Sequence, residues 1–320
     1  MKVRKKILGI ISALCLSFET FSLTSCDKAT EGLEFILLED GSSYAVSGIG
    51  TATETNIVIP STYSDLPVVS IGYKAFAYSE ILESIKIPDS VMNIEAEAFK
   101  GCETLKNVKI GNGVASINSE AFRNCRSLES VKIGNSVTSI GWSAFENCNS
   151  LTSIKIPDSV TFIGDNAFND CDSLKSIKIP DSVTMLGGGA FSSCDSLTSI
   201  KLGNGVTAIG GFSDCDSLTS IKIGNGVTAI GGFSDCDSLT SIEIPDSVRS
   251  ISYGAFRSCD SLTSIKIPAS VTNIEWEAFR NCRSLTTVYY TGTEEQWNSI
   301  AILYGNECLL NANIIYNYKG

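Results

Sequence analysis

Between Val68 and Thr287 the apolar residues recur in one arrangement, seen most plainly from Cys148 to Phe168. In that stretch Leu151, Ile154, Ile156, Val160, Ile163, Ala167 and Phe168 are apolar, and almost everything between them is small or polar. The leading cysteine returns at Cys102, Cys125, Cys148, Cys171, Cys194, Cys215, Cys236, Cys259 and Cys282, mostly 23 residues apart with two spacings of 21. The closing phenylalanine keeps step at Phe76, Phe99, Phe122, Phe145, Phe168, Phe191, Phe212, Phe233, Phe256 and Phe279. A fixed period of this size predicts a solenoid, in which each unit buries its apolar side only by stacking on its neighbours. No unit folds alone.

The opening of each unit, Leu-x-x-Ile-x-Ile, does not have helical spacing. It predicts a strand of a parallel sheet, with the first, fourth and sixth residues inward and the second, third and fifth in solvent. Pro157-Asp158-Ser159, or its alternate Gly111-Asn112-Gly113, turns the chain out of the sheet. Val160 and Ile163 then mark a second short extended edge, and Ala167-Phe168 is expected to begin a helical turn ending at the cysteine. Two units depart from the pattern. Gly203 to Lys222 and Gly224 to Glu243 are the same twenty residues except that Lys222 becomes Glu243, and both lack two residues before the phenylalanine. Their shortened turns are expected to change the local curvature.

The units resemble the Treponema-type leucine-rich repeats of BspA-like bacterial surface proteins, whose pattern is Leu-x-x-Ile-x-Ile-Pro-x-x-Val-x-x-Ile-Gly-x-x-Ala-Phe-x-x-Cys. The match covers about ten units, and the asparagine of the eukaryotic repeat is absent. The resemblance implies a leucine-rich repeat solenoid, α/β to mostly β. Parallel strands would form a right-handed coil with its sheet on the concave face, short strands and helical turns on the convex side, and caps at both ends. It also implies a lipid-anchored or secreted protein that binds host or neighbouring-cell macromolecules without catalysis. A passive coat or variable antigen is the alternative, favoured by the near-identical tandem copy; a secreted hydrolase is a third and weaker reading.

The ends differ from the repeats. Met-Lys-Val-Arg-Lys-Lys followed by the apolar run Ile7 to Phe18 has signal-peptide form and is too short to span a bilayer as a helix. Leu23-Thr24-Ser25-Cys26 resembles the bacterial lipobox, which implies cleavage of residues 1–25 and a diacylglycerol on Cys26; an ordinary cleaved signal with an incidental cysteine is the other reading. The chain is thus expected to be exported and lipid-anchored at the bacterial cell surface or outer membrane. Residues 26–66 are read as a tether and a β-hairpin cap around Glu39-Asp40-Gly41-Ser42-Ser43, and 67–287 as the repeats. In the cap at 288–320, Thr293 to Gln296 has the form of a capping box, and Trp297 is expected to cover the end of the core.

Composition narrows the chemistry. The 320 residues carry a net charge of −11 and no histidine. Without histidine, most triad and zinc-hydrolase schemes lose their central residue, so no catalytic residue, metal or cofactor is expected. The first 26 residues hold four positive charges against Glu19, so the remainder stands at −14, too acidic for a general nucleic-acid binder. Nine cysteines sit in one column and are read as small buried thiols, although the spacing of rungs does not forbid disulfides. Aspartates crowd that column, as in Asp170-Cys171-Asp172 and Asp214-Cys215-Asp216, and a solvated edge is preferred there to a calcium site. Tyr73, Trp142, Tyr253 and Trp276 share one position of the unit, where packing over the turns is the expected role.

One column opposes the net charge. The fifth position, facing solvent, reads Lys86, Lys109, Lys132, Lys155, Lys178, Lys201, Lys222, then Glu243, Lys266 and Tyr289. Lysine is a common solvated strand residue, and copying a unit copies its lysine. The functional expectation is a stripe for an extracellular protein or glycan, polyanionic or acidic, with the serines from Ser130 to Ser264 adding hydrogen bonds. The protein is expected to act as a monomer.

Overall fold

The computed structural model describes residues 28–319; the leader and Cys26 lie outside them. Each 23-residue unit makes one coil, with two short strands connected by turns. Twelve strands, from Asn56–Val58 to Asn313–Ile315, build the first parallel face, which contains the Leu-x-x-Ile-x-Ile segments. A second parallel face contains the Val-x-x-Ile segments, such as Ser139–Ile140 paired with Ser116–Ile117 and Phe162–Ile163. Register is strict: Ser130, Val131 and Lys132 lie against Asn107, Val108 and Lys109. A leucine-rich repeat solenoid of mostly β structure results, and helix is confined to the C-terminal cap.

Stacking puts each side chain against its counterpart one coil away. The phenylalanines are wholly buried and form a continuous pile from Phe76 to Phe279. Ring centroids are 4.9 Å apart for Phe99–Phe122 and 5.1 Å for Phe145–Phe168, with planes within 5° of parallel. Such rings stack favourably when offset, adding about 1 kcal/mol per pair to their burial. Leu151, Val160, Ile163, Ala167 and Phe168 are fully buried, and the inward assignments of the sequence hold.

The segment from Ala167 to Cys171 is realised as two successive hydrogen-bonded turns without a helix. Ala98, Lys100 and Cys102 donate their N–H groups within the coil to Glu95, Glu97 and Phe99. The alternate residues Glu97, Phe99 and Gly101 donate to Ser119, Ala121 and Arg123 of the next coil. Every N–H in this bend therefore has a partner, as a buried backbone requires. The arrangement uses left-handed backbone twice in most coils, at positions such as Glu120 (φ 57°) and Asn124 (φ 61°), and once in the first short coil, at Asp214 (φ 58°). Asparagine, aspartate, serine and glycine fill most of these places because they tolerate that conformation best.

The outer turns also use coil-to-coil bonds. Asn112 N–H donates to Asp89 Oδ1 and Asn135 N–H to Asn112 Oδ1. A Cβ on Gly113 would lie 1.8 Å from the Asp89 carbonyl oxygen, so the tight turn there excludes any side chain. The two short coils loosen the stack. Their phenylalanine spacings widen to 5.6 and 5.8 Å, and the inward-facing Ile221 and Ile223 become half-buried. The first face is interrupted between Ser220–Lys222 and Ser241–Glu243, and also among full-length coils between Ser153–Ile154 and Ser176–Lys178; the second is interrupted between Met185–Leu186 and Ala208–Ile209.

The ends of the solenoid are covered by different devices. Strand β1 (Glu34–Leu37) pairs antiparallel with β2 (Tyr44–Gly48), and β2 joins the second face in parallel. Phe35 stacks on Tyr63 at 4.1 Å, so the hairpin also packs on the short strand Thr62–Tyr63. At the other end helix α1 (Glu294–Asn298) begins with a full capping box between Thr293 and Gln296. Its Trp297 is buried edge-on against Tyr290 at 5.1 Å. A second short helix, α2 (Glu307–Leu310), buries Leu309.

Substituting Phe168→Ala in the middle of the pile is expected to cost about 3–5 kcal/mol, because the stack leaves a cavity that neither neighbour can fill. Leu151→Asp should cost at least as much by burying an unpaired charge. Thr152→Asp, on the exposed side of the same strand, should change stability by less than about 0.5 kcal/mol. Urea unfolding monitored by circular dichroism checks the ranking.

Candidate functional site

The first face presents the lysine column. Register aligns Lys86 with Lys109 and Lys109 with Lys132, and again Lys178 with Lys201 and Lys201 with Lys222. Lys109, Lys132, Lys155, Lys178, Lys201 and Lys222 are exposed in six consecutive coils. Among the described residues, the ion pairs involve cations other than these six. Lys74, Lys100 and Arg123 bind Glu97, Glu120 and Glu146 in a chain along the first coils, with Lys106, Arg126 and Arg280 paired separately. Lys86 and Lys266 are half-buried, and Lys266 stands 2.6 Å from Glu243 with its ammonium 6.0 Å from the Tyr318 ring centroid. The column is therefore a stripe of six exposed lysines with a different environment at each end.

The neighbouring hydroxyls divide into two groups. Four threonines at the second position are internally engaged: Thr198 donates to the Lys175 carbonyl, Thr219 to Thr198, Thr263 to Thr240 and Thr286 to Thr263. Ser153, Ser176, Ser220 and Ser241 stand exposed beside the lysines, whereas Ser130 donates to Asn107 Oδ1. The groups available to a ligand on this face are ammonium and hydroxyl donors.

An acidic row borders the stripe. Asp172, Asp195, Asp216, Asp237 and Asp260 fall at one position of successive coils, each six residues before the fifth-position residue. Desolvation, and then the neighbouring carboxylates, raise the carboxyls of Asp195 and Asp237 in this row, and of Asp170 and Asp214 two residues before it, above the ordinary range. The row carries mutual repulsion. Among the described residues, no group of carboxylates and thiols has the arrangement to hold a metal ion.

The cysteine column is structural. Nine thiols are buried and free, and each donates to the phenylalanine carbonyl of the preceding coil, as Cys125 does to Phe99 at 3.1 Å and Cys148 to Phe122 at 3.3 Å. Burial pushes the thiols up, to about 12 for Cys102, Cys215 and Cys259. Such a thiol forms almost no thiolate at neutral pH and is neither a nucleophile nor a metal ligand. Sequence reasoning located the column but not its bond, because the acceptor is a backbone atom 26 residues away. It also undervalued the aromatic column: Tyr73, Trp142, Tyr253 and Trp276 are 59–60% exposed.

A family model described as the BspA type leucine-rich repeat region, six copies long, matches residues 69–198, 116–232 and 186–307, three overlapping spans that cover most of the chain. The chain belongs to the BspA-type leucine-rich repeat family. Among solved structures, a leucine-rich repeat protein from Bacteroides ovatus is 30% identical over 91% of this chain and 79% of its own, with a TM-score of 0.71. The T. pallidum leucine-rich repeat protein is 27% identical over 66% of this chain and 91% of its own, with a TM-score of 0.50. A leucine rich cell surface protein from Faecalibacterium prausnitzii is 30% identical over 87% of this chain and 98% of its own, with a TM-score of 0.41. No curated protein matches the chain significantly. Among the described residues of this BspA-type protein, no helix is long and apolar enough to cross a membrane.

The thiols make stability sensitive to alkali. The folded chain keeps protons on groups that, once unfolded, lose them near pH 8.5. Their contribution is thus whole below about pH 8.5 and falls as pH rises toward the folded values of about 12. Each buried thiol should remove about 1 kcal/mol per pH unit in that window. Denaturant unfolding between pH 8 and 11 should show a steep decline, and Cys125, Cys148 and Cys171 all changed to alanine should flatten it.

Proposed function

We propose that this BspA-type protein is a non-catalytic binding module of the bacterial cell surface, whose first face takes an extracellular polyanion. The observation that supports this reading is the run of six exposed lysines, Lys109 to Lys222, on a body of opposite net charge. Adjacent ammonium groups about 5 Å apart repel by roughly 0.8 kcal/mol in water before screening. An anionic ligand lying along the stripe relieves that repulsion at every rung. Sulfated or sialylated glycans and acidic protein segments have this chemistry, and the exposed serines beside the lysines supply further donors. Export and anchoring through Cys26 would hold the solenoid at the cell envelope.

The tandem short coils favour a second reading, a coat protein or variable antigen whose length changes by unit duplication. Ligand binding separates the two. Full-length protein in detergent should capture a sulfated glycan or acidic protein from host serum or matrix extract. Changing Lys132, Lys155 and Lys178 together to glutamine should weaken that interaction about tenfold or more and reduce its salt dependence. Unchanged affinity would remove the stripe from the binding surface.

Anchoring is tested separately. Mass spectrometry of the membrane fraction should find a mature chain beginning at a diacylated Cys26, and Cys26→Ala should release the protein from the membrane fraction. Equal membrane retention of the variant would reject the anchor.

A further inference from the structure

Just beyond the second face, each coil has a position whose side chain stands out from the body. Tyr253 and Trp276 occupy it in adjacent coils. The cap strand Ala301–Ile302 pairs with Asn273–Ile274, which brings Tyr304 into register with Trp276. Backbone bonds confirm the alignment: Gly254 N–H donates to Trp276 O, and Glu277 N–H to Tyr304 O. Tyr253, Trp276 and Tyr304 thus form an aromatic row, 59, 59 and 82% exposed. A cleft of about 210 Å³ opens along it, lined by Tyr253, Asn273, Glu275, Trp276 and Leu303.

The first coil contains the same constellation with a cation in it. Tyr73 Oη donates to Glu97 Oε1 at 3.1 Å, and Lys74 Nζ stands 4.9 Å from the Tyr73 ring centroid and 3.5 Å from Glu97 Oε2. Lys100 pairs with the same Glu97 at 3.0 Å. The equivalent residues at the other end are Tyr253, Gly254, Glu277 and Arg280. Tyr253 Oη reaches Glu277 Oε2 at 3.5 Å and Arg280 pairs with Glu277 at 2.7 Å. Lys74 and Gly254 even share the left-handed backbone, φ 58° and 57°. The set differs at two places: arginine replaces Lys100 and keeps its charge, whereas Gly254 stands where the first coil supplies Lys74. A Cβ there would meet only Arg257 Cβ, at an ordinary 3.9 Å. Packing leaves room for a side chain here, and the left-handed backbone favours the glycine that stands in the cation's place.

We propose that the Tyr253–Trp276 cleft receives a lysine or arginine side chain of a partner polypeptide, which takes the role that Lys74 plays within the first coil. Charge complementarity commits the site to a cation. Aromatic faces attract ammonium and guanidinium groups, and the effect grows as the pair is desolvated. Glu275 adds a half-buried carboxylate fixed by the Tyr253 N–H at 2.9 Å. Its other oxygen accepts from Asn273 Nδ2 at 3.5 Å, and each oxygen retains accepting capacity. An anion would meet the Glu275 carboxylate in the lining of the cleft, so this site and the lysine stripe select partners of opposite sign.

The test follows Trp276 fluorescence in full-length protein carrying Trp142→Phe, with Trp297 buried and shielded. N-acetyl-lysine methylamide, its arginine counterpart and methyl glucoside are titrated in turn. Saturable quenching by either cation at millimolar concentration is expected, about fivefold weaker when Glu275 and Glu277 are both glutamine. Gly254→Lys should abolish it by filling the site from within, with the melting temperature slightly lowered by a side chain at φ 57°, a conformation that Lys74 already bears at φ 58°. Quenching by methyl glucoside with both cations silent would overturn the proposal in favour of a sugar platform. Cation binding undiminished in Gly254→Lys would overturn it as well. Neither result bears on the lysine stripe.

Discussion

The structure depends on one constraint: in a coil that closes on itself every 23 residues, each side chain has as a neighbour its own counterpart about 5 Å away. A column can be monotonous only if its residue tolerates its own company. Phenylalanine does so by offset stacking, with centroids 4.9 to 5.8 Å apart through nearly the whole pile. Cysteine does so by donating its thiol proton to a carbonyl of the preceding coil, and threonine by donating its hydroxyl likewise. Asparagine and aspartate at the turns accept the next coil's backbone N–H. In each case self-contact becomes a bond.

Charge is where the constraint bites. In the first coils it is met by alternation: Lys100, Glu120, Arg123 and Glu146 follow one another as a chain of pairs, 2.6 to 3.1 Å apart. The lysine stripe and the aspartate row have no such alternation, and each places like charges side by side over several coils. Duplication of a unit explains how such rows arise, since it copies the charge along with the core. The physics explains what they are fit for: a surface that repels itself gains most from a partner of opposite sign.

Much of this was legible in the sequence because the period carries it. Leu151, Ile154 and Phe168 point inward and Lys155 outward as the spacing alone requires, and the capping box at Thr293 and Gln296 forms where its residues stand. What the sequence did not yield was coil-to-coil chemistry. The double turn that replaces a helix after Ala167 is defined by left-handed residues and by bonds to the following coil, neither of which alters the spacing of the apolar residues. The pairing of Lys266 with Glu243 depends on a single changed residue in one copy. Tyr304 escaped notice because the period has already failed there, and only strand register places it beside Trp276.

Specific chemistry in such a molecule arises where the copies stop being alike. Within a uniform column any site present in one coil is present in all, so it can bind only something long. A compact site needs a position where a neighbour is different, and the last coils provide it: glycine at 254, the carboxylate Glu275, and the cap residues Leu303 and Tyr304 in place of another repeat. The cap that ends the core for reasons of stability thereby completes a cleft that no interior coil contains. A long face for an extended ligand and a terminal cleft for a single side chain are the two kinds of site that a stacked repeat can make, and they follow from the same rule of like against like.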